Sequence, residues 1–229
     1  MSNRKLKFYF SHTFINSINE NDKLIVNVVN NITNEKVEFI KPQYEQIDEG
    51  VYQPYTDSPV DTENVGANVY MNLISQSQKY VYISTPYFIV DDEMLKTITN
   101  AAKSGVDVRI VLPHIPDKRL VNQATKSYYS KLIKAGVKVY EYKHGFNHSK
   151  IVVSDDKIAT VGSVNFDYRS FYLSFECGVW MYNTSTVLDV LADYNSLLSD
   201  SIKITLDNCK VSIFKRAIRA LIAAFAPLF

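Results

Sequence analysis

The stretch HSKIVVSDDKIATVGSVNFDYRSFYLSFE, residues 148–176, sets two short β-branched runs on either side of a polar tetrad. Ser149 to Val153 and Ile158 to Val161, separated by Ser154-Asp155-Asp156-Lys157, predict a β-hairpin. On extended chain, alternate side chains share a face, so His148 and Lys150 point one way and Ser149 the other. An imidazole and an ammonium then stand about 7 Å apart along the backbone. A phosphodiester suits that pair, because imidazole can attack phosphorus while the cation offsets charge on the non-bridging oxygens. The Asn165 amide can donate a further hydrogen bond. The small residues of Gly162 to Phe171 allow a backbone to approach a phosphate, and Arg169 adds a cation there unless it is simply solvated.

Two carboxylates in the stretch have separate expected tasks. Asp155 sits in the turn, where its oxygens can hold turn amides. Glu176 lies inside Leu173 to Tyr182, which reads as a buried strand. A carboxylate there is costly unless paired. A hydrogen bond to an imidazole nitrogen would pair it and would set the tautomer. The alternative is a partly exposed strand glutamate.

Upstream, the pattern alternates. Val65, Val69, Leu73 and Ile74 recur at helical spacing, KYVYIS (Lys79 to Ser84) reads as a strand, and Asp91 or Asp92 can cap a helix that Gly105 stops. VDVRIVLP (Val106 to Pro113), a helix over about Lys118 to Ala135 ended by Gly136, and VKVYEYK (Val137 to Lys143) complete a βαβαβ run. That run predicts an α/β fold with a mixed, largely parallel sheet flanked by helices, and ligands in such sheets sit beyond the carboxyl ends of strands. Thr85-Pro86-Tyr87-Phe88 occupies such an end. Downstream, Thr184 to Asp200 is an amphipathic helix.

The expected organisation is an N-terminal segment, 1–45, holding a polar leader and a hairpin of KLIVNVVN (Lys23 to Asn30) with KVEFI (Lys36 to Ile40). A linker follows at 46–61, marked by Gly50, Pro54 and Pro59, then a catalytic domain at 62–207 and an amphipathic helix at 208–229. His12 has no lysine two residues on, so the motif is not repeated. In the tail, Ile213, Phe214, Ala217, Ile218, Leu221, Ile222 and Phe225 oppose Lys215, Arg216 and Arg219. Those three cations are candidate membrane contacts of an interfacial helix, the alternative being a helix docked on the core.

Composition narrows the function classes. The 229-residue chain is 46% hydrophobic with a formal net charge of +1, which argues against a broad nucleic-acid-binding surface. Two cysteines, Cys177 and Cys209, make neither a disulfide framework nor a metal cluster, and Cys177 reads as a buried small hydrophobe. Neither a signal-peptide pattern nor an apolar run of about 18 residues is present, so membrane contact is expected to be peripheral.

The spacing HxK, four residues, Asp, six residues, GSxN is similar to the HKD signature of the phospholipase D superfamily. From about Gly50 onward, VYQPYTDSP, TPYFIVDDEML, GVDVRIVLP, AGVKVYEY, FDYRS, FECGVW and FAPLF together resemble the C-terminal half of bacterial cardiolipin synthases. Residues 1–45 do not share the resemblance.

What the resemblance implies is phosphatidyl transfer through a covalent phosphohistidine, with no metal or other cofactor. Two phosphatidylglycerols would give cardiolipin and glycerol on the cytoplasmic face of a bacterial membrane. By the same resemblance Lys150 and Asn165 bind phosphate oxygens, Ser163 supports the pocket, Glu176 orients His148 and Asp155 is structural. Enzymes of that type carry two HKD motifs and commonly two membrane spans, whereas this sequence has one motif. Three readings follow: a transferase half completed by another HKD chain, a homodimeric single-HKD phosphodiesterase or nuclease, or a non-catalytic lipid-binding subunit. In two-motif members the other histidine is usually the nucleophile, which leaves His148 as general acid and then base.

Overall fold

The computed structural model describes residues 50–212 apart from residue 61, the backbone of three earlier strands, and residues 214, 218, 219, 222 and 225. The chain divides into two compact units, Met1–Ile47 and Asp48–Phe229. In the first, β1 (His12–Glu20), β2 (Lys23–Asn30) and β3 (Lys36–Ile40) form an antiparallel sheet in that order. The β2–β3 pair is the expected hairpin, with Val28 opposite Val37. A strand at β1 was not expected from the polar leader. Its asparagines are poor strand formers, and pairing with β2 outweighs that weak preference.

The second unit runs β4 (Val51–Asp57), α1 (Val65–Gln76), β5 (Tyr80–Ser84), β6 (Phe88–Ile89), α2 (Asp92–Lys103), β7 (Asp107–Pro113), α3 (Arg119–Lys134), β8 (Lys138–Tyr142) and β9 (Ile151–Ser154). It continues with β10 (Ile158–Gly162), β11 (Phe166–Asp167), α4 (Tyr168–Tyr172), β12 (Glu176–Tyr182), α5 (Ser185–Ser199) and β13 (Ser201–Lys203). Eight strands make one sheet in the order β13-β8-β7-β5-β9-β10-β12-β4.

The sheet is mixed, not largely parallel. Only β5–β7 and β7–β8 are parallel pairs. The neighbours β13–β8, β5–β9, β9–β10, β10–β12 and β12–β4 all run antiparallel. Helical crossovers α2 and α3 make β5, β7 and β8 parallel, whereas β9 and β10 are joined by a tight turn and pair antiparallel; the remaining antiparallel pairs bring together strands that are not consecutive or that β11 and α4 connect.

Alternation along the strands sorts two cores. Val81 and Ile83 of β5, Val108, Ile110 and Leu112 of β7, and Val152 of β9 meet Leu73 and Ile74 of α1, Leu95 and Ile98 of α2, and Leu132 of α3. Val111, Ile151, Val153 and Met181 turn the other way, onto Val187, Val190 and Tyr194 of α5. Helix ends follow the expected chemistry. Asp91 caps α2 by accepting from the Met94 amide at 2.8 Å, and Gly105 and Gly136, at φ +97° and +100°, end α2 and α3 in left-handed turns.

Three local expectations need correction. Residues 51–57, read as linker, form edge strand β4, and Pro54 is tolerated there because an edge strand leaves one side unpaired. The strand at 173–182 begins only at Glu176, leaving Leu173 and Phe175 exposed. Cys177 is exposed as well, turned by the strand alternation to the face opposite Glu176.

Candidate active site

The site assembles where parallel and antiparallel strands meet. At the carboxyl end of β5, Ser84 Oγ lies 2.6 Å from Ser149 Oγ and accepts from Asn147 Nδ2 at 2.8 Å. Ser149 returns a bond to Asn147 Oδ1 at 2.9 Å. This buried triangle fixes the extended approach to β9 and turns Ser149 inward, so His148 and Lys150 project together on the other side, as the alternation predicts. The next residue, Thr85, accepts the Phe166 amide at 3.1 Å and donates to the Tyr87 carbonyl at 2.9 Å. It thereby ties the segment after β10 to the end of β5, where β6 and β11 pair in parallel.

Lys150 Nζ stands 3.0 Å from His148 Nδ1 and 3.2 Å from Nε2, and donates to the His148 carbonyl at 2.7 Å. Phe146 flanks the imidazole with ring centres 5.5 Å apart. Burial lowers the His148 pKa, and the Lys150 cation lowers it further, against a smaller opposing effect of Asp117. Both of the larger effects favour the neutral imidazole. Burial also lowers Lys150, while the Glu176 and Asp167 carboxylates act to keep it charged.

Ser163 and Glu176 come together through the β10–β12 ladder, whose register ends with Gly162 opposite Gly178. The Ser163 amide donates to the Cys177 carbonyl at 2.8 Å, its Oγ accepts from the Cys177 amide at 2.9 Å, and the same hydroxyl donates to Glu176 Oε2. Glu176 thus meets Ser163 and not an imidazole of its own chain. Burial raises its pKa against the bonds from Ser163 and Ser170.

Asp155 holds amides as expected, but those of a neighbouring segment. It accepts from Gln78 at 2.7 Å and from Lys79 and Tyr80 at 2.9 Å each, pinning the hairpin turn to the start of β5. Burial would raise its pKa, and these amides outweigh that and lower it.

Asn165 and Asp167 open onto a pocket of about 340 Å³ lined by Tyr87, Ile89, Lys118, Val121, Asn165, Asp167, Arg169, Ser170, Ser174 and Glu176. Glu176, in its lining, acts electrostatically on Lys150. The Asn165 side chain bonds Asp167, and its Oδ1 is buried without a hydrogen-bond partner among the described residues. Asp167, 9% exposed, caps α4 by accepting from the Ser170 amide at 2.7 Å.

Sequence reasoning missed Asp117, Lys118 and Asp167. Asp167 carried one legible signal, an aspartate three residues before Ser170 at a helix start. Lys118 and Asp117 reach the site only through the crossover after β7, which no local pattern reveals. Of the tail cations, Lys215 and Arg216 lie outside the described residues. Arg219 Nε donates to Gln123 Oε1 at 2.9 Å, and Ile222 packs against Ile89, Val121 and Ala124. Among the described residues no helix is long and apolar enough to cross a membrane, and no cluster of acidic, His or Cys side chains could hold a metal ion.

Residues 70–198, more than half of the chain, match the family described as cardiolipin synthase, PLD-like domain. This chain belongs to that family. A cardiolipin synthase of Alkalihalophilus pseudofirmus is 44% identical over 146 residues, covering 64% of this chain and 29% of that protein. An uncharacterized protein of Streptococcus mutans is 43% identical over 186 residues, covering 81% of this chain and 40% of the relative. The chain therefore spans well under half the length of these relatives. Among solved structures, the phosphatidylserine synthase of Haemophilus influenzae superposes with a TM-score of 0.62 at 17% identity, over 83% of this chain and 48% of that one. That likeness is one of fold.

Proposed function

We propose that this chain supplies one HKD half of a phosphatidyltransferase of the cardiolipin synthase type, completed by a second HKD motif from another chain or a second copy. The carrying observation is the Lys150 ammonium within 3.2 Å of both imidazole nitrogens of His148, at the entry to β9 and within the residues that match the family. In the reaction, one histidine attacks the phosphorus of phosphatidylglycerol. The P–N bond forms as the P–O bond to glycerol breaks, and the other histidine gives the departing glycerol a proton. That histidine then takes a proton from a headgroup hydroxyl of a second phosphatidylglycerol, whose oxygen attacks phosphorus and releases the P–N bond as cardiolipin forms. Lys150 offsets charge on the phosphate oxygens, Ser163 and Glu176 brace the wall opposite it, and Asp155 holds the hairpin.

With the other motif supplying the nucleophile, His148 is the acid and then the base. A second reading has a specific observation in its favour. Burial and the Lys150 cation favour the neutral form of His148, the form a nucleophile requires, as in a homodimer whose two identical histidines take different roles. Lipid as the substrate, and a peripheral place on the cytoplasmic face of the membrane, are supported by the exposed Ile115, Leu120, Leu173 and Phe175, which neighbour pocket-lining residues in sequence. The tail cations would add attraction to anionic lipid.

The test is incubation of purified chain with phosphatidylglycerol in mixed micelles, alone and with a second HKD polypeptide. Cardiolipin and glycerol are expected, with an acid-labile phosphoprotein, and none from His148→Ala. Full activity in His148→Ala would overturn the mechanism. Product from the chain alone would select the homodimer.

A further inference from the structure

A second imidazole stands at the end of β7, the strand paired in parallel on both sides. His114 follows Pro113, and its amide donates to the Tyr142 carbonyl at 3.0 Å. Its Nδ1 lies 2.7 Å from Oε2 of Glu141, a residue 2% exposed. The other oxygen of that carboxylate takes Lys126 Nζ and the Tyr129 hydroxyl at 2.9 Å each. Burial would raise the Glu141 pKa, and the bonds from His114 and Lys126 outweigh that and lower it. A carboxylate has no hydrogen to give, so Nδ1 donates and Nε2 keeps its lone pair. The His114 side chain is half exposed, and among the described residues Nε2 has no hydrogen-bond partner. A buried carboxylate thus holds one ring nitrogen and leaves the basic one free, the arrangement that prepares a histidine to take a proton.

Strand register places this imidazole beside His148. Ser84 of β5 pairs with Val111 of β7 on one side and with Ile151 of β9 on the other. His114 stands three residues after Val111 and His148 three residues before the antiparallel Ile151, so both extend equally far past the end of β5. They also share a face. His148 alternates with Val152, Glu141 alternates with Val139, and Val152, Val139 and Tyr129 all belong to the main core. Two strand spacings, about 10 Å, separate β7 from β9. After Thr85, whose amide donates to the Val111 carbonyl at 3.2 Å, the chain leaves β5 for β6 and vacates that interval. Contacts join its two sides: Phe146 to His148 with ring centres 5.5 Å apart, Phe146 to Tyr87 at 5.9 Å, and the Tyr87 hydroxyl to Asp117 at 2.5 Å. Asp117, on the loop that His114 begins, acts electrostatically on His148.

Resting on the phosphohistidine reading with His148 as nucleophile, we infer that His114 is a general base of the same active site, in the step that frees His148, with Glu141 as its positioning residue. In that step the oxygen of water or of an acceptor alcohol bonds to phosphorus as the P–N bond breaks. The bonding pair returns to His148, and the hydroxyl proton passes to His114 Nε2. An in-line array of imidazole nitrogen, phosphorus, incoming oxygen and second imidazole nitrogen, each about 3 Å from the next, spans about 9 Å. The interval of about 10 Å between β7 and β9 accommodates it. A phosphodiester whose leaving group departs as an anion needs no other acid. The chain alone therefore suffices to turn such a diester over.

The experiment follows the full chain with bis(4-nitrophenyl) phosphate, reading nitrophenolate from the first turnover onward. Nitrophenolate leaves without a proton, so only the second step calls on His114. Wild type is expected to turn over steadily. His114→Ala is expected to release about one nitrophenolate per chain and then slow about 100-fold, with the aryl phosphohistidine persisting at alkaline pH. Glu141→Gln should show the same burst with a smaller slowing, added imidazole should restore His114→Ala, and His148→Ala should give no burst. His144→Ala, which removes an exposed histidine from the loop after β8, should stay within twofold of wild type. A merely structural defect would lower the burst and the steady release together. That outcome, unchanged steady release in His114→Ala, or no turnover by wild type would overturn the inference. Cardiolipin formation by His114→Ala at the wild-type rate would also overturn it and leave the transferase reading standing. Diester turnover that depends on His114, with no cardiolipin under any pairing, would sink the transferase reading and leave the base standing.

Discussion

The two halves of the large sheet solve different problems. The parallel half, β8-β7-β5, is helix-connected and supplies core: Val108, Ile110, Leu112 and Val139 are at most 1% exposed. The antiparallel half, β9-β10-β12-β4, combines a hairpin, β9–β10, with a strand reached through β11 and α4 and with the distant β4, and it carries most of the chemistry. There, backbones approach so closely that position and not volume is critical. Parallel packing tolerates small errors, and the antiparallel hairpins do not.

Gly162 gives the sharpest break of that comparison. A Cβ there would lie 2.3 Å from the Cys177 carbonyl oxygen and 2.6 Å from the Gly178 Cα, so β10 and β12 would have to part. Gly162→Ala is expected to cost about 3 kcal/mol in urea unfolding and to displace Ser163 from Glu176. Ile110→Val, fully buried in the parallel half, should cost about 1 kcal/mol and leave ligand binding unchanged. Equal costs for the two would remove the distinction.

Asp155 joins the halves from the turn side. Asp155→Ala removes acceptors from three amides at 2.7–2.9 Å, and at this partly exposed position about 2 kcal/mol is expected. The pH dependence has a definite sign. With the folded pKa depressed, its contribution is complete above the unfolded aspartate value of about 3.9 and disappears as pH falls through the folded value. Acid unfolding of Asp155→Ala should therefore lose part of the pH slope that wild type shows in that range.

On the other side of the join, Ser84→Ala should cost roughly 1 kcal/mol, because Asn147 and Ser149 each lose a partner in a buried triangle. The further expectation is a widened set of His148 rotamers, detectable as broadened imidazole resonances. Unchanged stability and line width would mean that the join is held by the ladder alone.

How much of this was legible in sequence follows the same division. Helical spacing and the glycines at 105 and 136 announced the βαβαβ run, and strand alternation announced that His148 and Lys150 share a face. What misled was letting the parallel βαβαβ run set the character of the whole sheet, although Ser149 to Val161 already read as an antiparallel hairpin; the antiparallel pairing of β9 with β5 and of β12 with β4 joins distant segments that no local pattern connects. Periodicity also could not tell that Cys177 faces outward, because an apolar run looks the same on either face of a strand. The partners of Asp155 and Glu176 stand in other segments, so only the folded chain supplies them.

The smallest expected effect concerns the electrostatics of the join. His148 is lowered first by burial and then by Lys150, so removing the ammonium should relax only the second contribution. Lys150→Ala is therefore expected to move the His148 titration upward toward, but not to, the ordinary histidine value. Imidazole chemical shifts can follow it, with the other three histidines, His12, His114 and His144, as internal references. No movement would mean that burial alone sets the protonation of His148, and that Lys150 acts on substrate only. An upward shift would mean that the lysine also keeps the resting imidazole neutral, and that a bound phosphate, by drawing the ammonium to itself, would return to His148 the basicity needed to hold a proton.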